Sequence, residues 1–374
     1  MSNTLTNLIP LAYEALDIVS REAVGLIGAV SIDASADTIA KGQTVYSPVA
    51  PINTVGDITP AMTVTAASDQ TIGTKSLVVD NYKTSGFNWT GEEEFGINSG
   101  VRMENIMRDQ IAQCLRAHVN AIESAVFVVG KNAASRAVGT TAGTAPILAD
   151  FAGAQKILTD NGAPLSGRSV VLDTTAGVAL RGIANLYKVN EAGDAGLLRN
   201  GVLGSLYGFD LRESAGIVAV TAGTGANYLI NNGAGYVVGD TALTVDTGTG
   251  TLLAGDIITI GAHKYVVATA LAANVVTIAA PGLRATVADN ATVTLLATST
   301  RNLAFSRNAI TLATRLPKFQ NGDQAAARSI ITDPVSGISF ELTMWPGQRM
   351  VKYEIAIAYG CTAIKPEHLA VIIG

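Results

Sequence analysis

The stretch that decides the fold is residues 102–129, RMENIMRDQIAQCLRAHVNAIESAVFVV. Its apolar residues recur every three or four positions, and its charged residues lie largely off that stripe. This spacing predicts one amphipathic helix of roughly 40 Å, at 1.5 Å per residue. We expect Asn98 or Ser99 to cap it, because a short polar side chain accepts hydrogen bonds from the free amides of a first turn. Gly130 is the expected end of the helix.

Upstream of this helix, the sequence predicts a terminal helix and a long loop. Residues Leu5–Ala23 have apolar residues at helical spacing, and such a helix either folds back on its own core or docks on a neighbouring subunit. Two strand-like runs, Ser76–Asp80 and Gly86–Thr90, together with the polar connection Ser68–Lys75, suggest a long hairpin-like loop within Thr44–Phe95.

Downstream of the long helix, strands and short helices alternate and then give way to a β-meander. The expected elements are a helix Phe151–Leu158 capped by Asp150 and ended by Gly162, a buried strand Arg168–Asp173, a helix Thr175–Tyr187, a turn–strand–turn–strand over Gly201–Ser214, a helix or turn over Asn302–Ala313, meander strands Ala327–Thr332, Gly337–Met344 and Met350–Tyr359, and a last strand Leu369–Ile373.

Residues 223–296 differ in composition from both flanks, because charged residues nearly vanish and β-branched runs alternate with Gly, Asp and Asn. Six short strands at this spacing predict a small antiparallel barrel or sandwich inserted into the chain. The expected strands are Gly235–Val238, Thr241–Val245, Ile257–Ile260, His263–Ala268, Val275–Ile278 and Thr292–Leu296.

The composition excludes several classes of protein. The chain has 374 residues, 48% hydrophobic and 15% charged, which favours two or three ordered, β-rich domains. A net charge of −5 argues against general nucleic-acid binding, which needs a basic face. The N-terminal residues lack the basic start of a secretory signal, and the apolar runs are too short to cross a bilayer. Two cysteines are too few for a disulfide framework, so we expect a reduced cytoplasm and no membrane.

No motif predicts catalysis, a cofactor or a metal. The three histidines are scattered, and neither cysteine lies in a CxxC pair. We interpret His118, on the apolar stripe of the long helix, as a core histidine. The acidic run Glu92, Glu93 and Glu94 could supply a general acid or base, but beside a helix start it is more typical of a solvated approach or of half an intersubunit ion pair. We therefore expect no enzyme.

The order of these elements resembles the major capsid protein of tailed bacteriophages, with the fold named after phage Hong Kong 97. Three stretches carry the resemblance: LRNGVLGSLYGFD at 198–210, NLAFSRNAITLA at 302–313 and YGCTAIKPEHLAVII at 359–373. The inserted β-rich segment is similar to that in coat proteins of short-tailed, P-twenty-two-like phages. The resemblance implies an α+β fold made of an N-arm, an E-loop, a spine helix, a P-domain and an A-domain, with an inserted small antiparallel β-barrel domain.

The resemblance also implies a division of the chain. The expected parts are an N-terminal arm with its helix at 1–43, the E-loop and flanking strands at 44–97, the spine helix and part of the P-domain at 98–147, the A-domain at 148–222, the inserted barrel at 223–298, a return through the A-domain at 299–326, and the P-domain meander with the C-terminal strand at 327–374.

Members of this family have a structural role, and the resemblance implies that this chain is a subunit of an icosahedral phage head. Copies would assemble in the bacterial host cytoplasm into a procapsid, with a scaffolding protein and a portal protein as partners. The shell would then expand and enclose double-stranded DNA without sequence-specific binding, and the mature location would be the virion capsid.

Five residues are the expected intersubunit contacts: Phe87, Trp89, Glu92, Glu93 and Glu94. Aromatic side chains commonly dominate such contacts, although Phe87 and Trp89 could equally pack inside their own subunit. Some relatives cross-link an E-loop lysine to an asparagine of a neighbour. Lys75 and Lys83 lie in the corresponding region, but no partner asparagine can be identified, so we expect non-covalent stabilisation.

Three alternatives stay open at this point. The nearest is an encapsulin-like shell that encloses enzymes, against which the β-rich insertion favours a phage. A second is an enzyme with a β-rich accessory domain, whose raw materials would be Tyr187, Lys188, Asp194 and Arg199. A third is a carbohydrate-binding surface protein with a Thr/Gly-rich barrel, against which the missing export signal counts.

Overall fold

The computed structural model describes residues 24–49, 60, 73–93, 103–139, 142–183, 186, 203–319, 322–333 and 336–374. The expected N-terminal helix Leu5–Ala23 lies outside the described residues. Within them, the helices are α1 (Met103–Ala133), α2 (Leu148–Asp160) and α3 (Thr174–Arg181), with short 3-10 turns at Arg307–Ala309 and Pro366–His368.

Helix α1 confirms the predicted long helix and extends it. It has 31 residues, or roughly 46 Å, and it continues past Gly130. The expectation that Gly130 ends the helix is therefore wrong. A Cβ at this position would lie 2.6 Å from Cδ1 of Leu303, so the glycine lets the helix approach the sheet closely. Tertiary packing along the buried stripe offsets the weak helix propensity of a single glycine.

The first sheet contains the predicted meander. Strands β18 (Ala327–Thr332), β19 (Ser339–Gly347) and β20 (Met350–Ala363) pair in succession as antiparallel neighbours. Strand β17 (Ile310–Pro317) adds to β20, and β1 (Ser31–Ile39) adds to β17 in parallel.

Strand β4 (Asn81–Thr90) pairs with β20 along its whole length, from Asn81 opposite Tyr359 to Thr90 opposite Met350. It therefore belongs to the first sheet. The hairpin is formed instead by β2 (Gln43–Val49) and β3 (Gly73–Val79), which pair from Gln43 opposite Val79 to Val49 opposite Gly73. The expected connection Ser68–Lys75 is thus wrong at its end, since Gly73–Lys75 is strand.

The second sheet carries the mixed α/β region. Its strands in this part are β5 (Arg136–Val138), β6 (Arg168–Leu172), β7 (Ser205–Leu206), β8 (Phe209–Glu213), β9 (Ala219–Val220), β16 (Ser299–Ser306) and β21 (Leu369–Ile373). The buried strand near Arg168 and the strand–turn–strand before Ser214 are confirmed.

Three sequence expectations need correction in this region. Asn302–Ala313 is not a helix but strand, 3-10 turn and strand, because nearly every residue there is buried between neighbouring elements. Helix α3 ends at Arg181, where Gly182 follows, rather than at Tyr187. Helix α2 starts after Ile147, and the Asp150 carboxylate accepts a hydrogen bond from the Ile147 amide at 3.0 Å, so Asp150 stabilises the first turn from inside it.

The predicted last strand, Leu369–Ile373, is confirmed as β21. It lies in the second sheet, between β16 and β5, and all five of its residues are buried. A fully apolar strand is most stable at the centre of a sheet covered on both faces, and α1 and α2 supply that cover.

The inserted segment forms a closed barrel. Its strands are β10 (Tyr228–Ile230), β11 (Ala242–Asp246), β12 (Ile257–Ile260), β13 (His263–Ala272), β14 (Val275–Ile278) and β15 (Thr292–Leu295). Antiparallel pairing runs through β10, β11, β14, β13, β12 and β15 and returns to β10. The predicted strand Gly235–Val238 is only an isolated bridge at Tyr236, whereas Tyr228–Ile230 was missed.

The barrel is connected to the second sheet by strand pairing and by a side-chain hydrogen bond. Tyr265 of β13 pairs with Arg136 of β5, which makes the barrel continuous with the second sheet. The Lys264 ammonium donates to the Gly139 carbonyl oxygen at 2.6 Å. Helix α1 packs beneath both sheets, and its Ile111, Leu115, Ile122 and Val126 are fully buried in the core that they share.

Candidate assembly surfaces

The first two residues of the acidic run, Glu92 and Glu93, lie on an exposed helical turn that follows β4. Glu92 and Glu93 are exposed, and Glu94 lies outside the described residues. The Glu93 carboxylate accepts hydrogen bonds from the Thr90 amide at 3.0 Å and from the Thr90 hydroxyl at 2.9 Å. The Glu93 amide donates in return to the Thr90 hydroxyl at 3.3 Å. These hydrogen bonds lower the pKa of Glu93 and form a capping box, which leaves Glu92 as the unengaged carboxylate of the two.

The two expected aromatic contacts pack largely within their own subunit. Trp89 is 8% exposed, and its indole nitrogen donates to the Gln110 side-chain oxygen on α1 at 2.9 Å. Phe87 is half-buried and stacks on Tyr353 of β20, with ring centroids 5.3 Å apart. A contact with a neighbouring subunit stays a prediction for both, and Phe87 offers more free surface for it.

A cleft of about 650 Å³ opens at the end of the first sheet. It lies between the acidic turn and the tight turn that joins β19 to β20. Its lining includes Trp89, Glu92, Pro346, Arg349, Met350 and Val351. Apolar side chains thus form much of its wall, with one acidic and one basic residue among them.

The hairpin of β2 and β3 has one packed face and one exposed face. Leu77 and Val79 are buried in a small cluster with Ala313 and Ala358 of the first sheet. On the other face, Tyr46 is 67% exposed and Val78 is 45% exposed. Because Tyr46 lies opposite Ser76 and Thr44 lies opposite Val78, the two apolar side chains are diagonal neighbours. This exposed apolar pair on the hairpin, Tyr46 and Val78, is a candidate contact surface.

The two lysines of the region expected for a cross-link, Lys75 and Lys83, differ in their surroundings. The Lys75 ammonium donates to the backbone carbonyl of Ile364 within the same subunit, and Lys83 is exposed on β4. Whether either forms a covalent bond stays a prediction, and the expectation is that neither does.

The histidine on α1 is a buried structural residue. His118 is 3% exposed, and its Nε2 lies 2.9 Å from the Ile355 carbonyl oxygen and 3.1 Å from the Ser85 hydroxyl. Burial lowers its pKa, because the charged ring would lose its hydration. The interpretation of His118 as a core histidine is confirmed.

Arg301 is a fully buried charged group, located where β16 meets the barrel. Burial lowers the pKa of Arg301 to about 10, and the nearby Asp256 carboxylate partly opposes that shift. The same carboxylate raises the pKa of Lys131 near the end of α1, against a larger lowering by burial. Arg301 and Asp256 are buried and Lys131 is half-buried beside them, so the cluster lies at the junction of α1, β16 and the barrel.

The described residues hold no group of three or more His, Cys, Asp or Glu side chains placed to bind a metal ion. None of the helices in this part of the chain has the length and apolar character that a bilayer span requires. The alternative catalytic set, Tyr187, Lys188, Asp194 and Arg199, lies outside the described residues.

The sequence interpretation missed several residues that position these surfaces. Glu123 on α1 binds the backbone amide of Gly25, and Gly360 lies where the hairpin packs on β20. Arg349 lines the cleft. A glycine within a strand was a detectable signal of such a role. The sequence pattern places Glu123 off the apolar stripe, so its burial was not expected. No local pattern distinguishes Arg349 from other exposed arginines.

The long helix under two sheets, the hairpin of β2 and β3 and the inserted small β-barrel together make an α+β chain with the Hong Kong 97-type capsid fold. Among solved structures, the chain matches Mycobacterium phage Che8 with a TM-score of 0.51 and 14% sequence identity, over 94% of this chain and 91% of that one. It matches the capsid structure of the cyanophage P-SCSP1u with a TM-score of 0.52 and 11% identity, over 94% of this chain and 88% of that one. No protein-family model and no curated protein matches the sequence. At sequence identities this low, the structural similarity shows the fold alone, and a fold by itself does not determine function.

Proposed function

We propose that this chain is the structural subunit of an icosahedral phage head and has no catalytic role. Copies assemble in the host cytoplasm into a procapsid around a scaffolding protein, with a portal protein at one vertex. The shell then expands and encloses double-stranded DNA without sequence-specific contacts. The mature protein is located in the virion capsid.

The observation that carries this proposal is the extent of the match to the cyanophage capsid, which covers 94% of this chain and 88% of the other. A match of that extent covers most of the chain rather than one shared motif. The exposed acidic turn, the cleft beside it and the apolar face of the hairpin provide separate patches for neighbouring subunits. Several modest contacts suit a shell that must assemble reversibly before it becomes stable.

The finer placement, near the coat proteins of P-twenty-two-like phages, is supported by the closed six-stranded antiparallel barrel at the expected position. The encapsulin-like alternative is not favoured, because the two matches described above, with TM-scores of 0.51 and 0.52, are phage structures.

The proposal is tested by negative-stain electron microscopy of the protein expressed alone and together with a scaffolding protein encoded beside it. Uniform icosahedral shells in either sample support the proposed function. Small, discrete oligomers in both samples contradict it, and the described clefts would then have to be tested for small ligands.

A further inference from the structure

The cleft at the end of the first sheet has two opposite charges on its rim. Arg349, in the turn between β19 and β20, is exposed, and Glu92, on the acidic turn, is exposed as well. Neither side chain has a hydrogen-bond or ion-pair partner among the described residues. Other charged side chains nearby are paired: Glu354 binds Lys352 at 2.6 Å, and Glu93 is held by Thr90. Among the residues that the structure describes, Arg349 is therefore the free cation of the rim and Glu92 is its free carboxylate.

The two sides of the cleft are held rigidly. The β19–β20 turn closes a ladder in which Gly347 lies opposite Met350 and Pro346 lies opposite Val351. Arg349 has a positive φ of 59°, a conformation that the tight turn imposes. The Gly91 amide donates to the Arg349 carbonyl oxygen at 3.2 Å, which ties the acidic turn to the basic one. Both charges are thus presented on a fixed backbone, and an ordered backbone lowers the entropic cost of binding.

We infer that this cleft is a contact surface between copies of the chain, in which Arg349 of one copy binds Glu92 of a second copy. The inference rests on the proposed function and names one of the contacts on which assembly depends. A second copy is the occupant that the charges favour, because a rim with both signs is complementary to the same rim on a rotated copy. The apolar wall formed by Trp89, Met350 and Val351 then becomes shielded from water, which strengthens the ion pair at its edge.

The charge-reversal experiment uses the full chain, under whichever condition gives shells of the unchanged protein. The variants are E92K, R349E and the double variant E92K/R349E. We expect each single variant to reduce the yield of sedimenting shells at least about tenfold, because like charges then face each other across the contact. The double variant restores the opposite-sign pair and should recover most of the yield. The matched control is D210K/R307E, a reversal at two exposed residues away from the cleft, which should assemble normally.

A cross-linking measurement tests the same contact if the unchanged protein forms only small oligomers, because it does not require assembled shells. Variant E92C is mixed with variant R349C under oxidising conditions, and the control mixture is D210C with R307C. We expect a disulfide-linked dimer in the first mixture and not in the second. Single variants with normal shell yield, or shells without the E92C–R349C dimer, overturn the inference while leaving the proposed function intact. Absence of any assembly in the unchanged protein together with absence of the cross-link overturns both.

Discussion

At the scale of single residues, Glu123 joins three parts of the chain at one point. Its Oε1 accepts hydrogen bonds from the amides of Gly25 and Leu26 at 2.8 and 2.7 Å, and from the Ser214 hydroxyl at 2.6 Å. Its Oε2 accepts from the Ile27 amide at 3.0 Å. The carboxylate is 2% exposed, so it is stabilised almost entirely by these donors. It fixes the point at which residues 24–30 join the body.

Replacing Glu123 with Gln should lower the free energy of unfolding by roughly 1–3 kcal/mol. The amide removes the charge and one acceptor, and it leaves a buried backbone donor unsatisfied. Urea unfolding of the unassembled chain measures the effect. The control, Glu92→Gln, changes an exposed carboxylate and should stay within about 0.5 kcal/mol of the unchanged protein. Equal stabilities for the two variants would show that the Glu123 hydrogen bonds contribute little.

His118 should make the chain sensitive to acid. Burial lowers its pKa in the folded chain below the unfolded value of about 6.5, so the unfolded chain binds the proton more readily. The contribution of the neutral ring to stability is therefore fully present above about pH 6.5 and is lost as the pH falls toward the folded-state pKa. The free energy of unfolding, measured between about pH 7.5 and about pH 5, should fall more steeply for the unchanged protein than for His118→Gln.

The glutamine variant is a matched comparison because its amide can still donate to the Ile355 carbonyl oxygen. His263 and His368, whose pKa values are also lowered by burial, are present in both proteins and cancel in the comparison. Identical pH slopes for the two proteins would remove His118 as a source of acid sensitivity.

At the scale of secondary-structure elements, the hairpin is positioned by a close approach to β20. A Cβ at Gly360 would lie 2.2 Å from the carbonyl oxygen of Val78, so only glycine lets the hairpin cross the strand at that point. This contact gives a physical reason for Gly360 in the stretch 359–373, which carries part of the family resemblance. The placement of the hairpin against the first sheet thus depends on the absence of a side chain at Gly360.

Gly360→Ala should displace the hairpin from the first sheet and lower the free energy of unfolding by about 1–3 kcal/mol, because the backbone of β3 cannot be moved by a rotamer change. The control is Gly204→Ala, where an added Cβ meets no atom within 4 Å. Thermal unfolding measures stability, and limited proteolysis near residues 43–79 reports release of the hairpin. Unchanged protease resistance in Gly360→Ala would contradict this account of hairpin placement.

At the scale of the whole molecule, one long helix supports two sheets and a barrel, and the candidate contact patches lie at separate places on this frame. One patch is the exposed face of the hairpin formed by β2 and β3, and the other is the cleft at the end of the first sheet. Each patch is small, so the proposed shell would be stabilised by many copies of each contact rather than by any one of them.

The exposed face of the hairpin should matter for assembly and not for folding. The double variant Tyr46→Ser/Val78→Ser removes apolar surface that is exposed in the single chain, so its unfolding free energy should change by less than about 0.5 kcal/mol. Its yield of sedimenting shells should fall at least about fivefold if this surface is buried between subunits. A variant at the apolar residue Leu165, which is 73% exposed on the α/β region, provides the control as Leu165→Ser. Equal shell yields for the three proteins would exclude the hairpin face as a contact.

The sequence by itself determined the elements whose hydrophobic pattern is local. The stripe of α1, the meander of β18 to β20 and five of the six barrel strands follow from side-chain periodicity, because each such element buries one face along its own length. The placement of β21, the strands in Asn302–Ala313 and the pairing of β4 with β20 were decided only by tertiary structure. These segments are buried by residues far away in the sequence, so their local pattern does not specify the partner. For the same reason, no pattern could bring Glu92 and Arg349 to one cleft, since 256 residues separate them and only the β4–β20 ladder places their turns together.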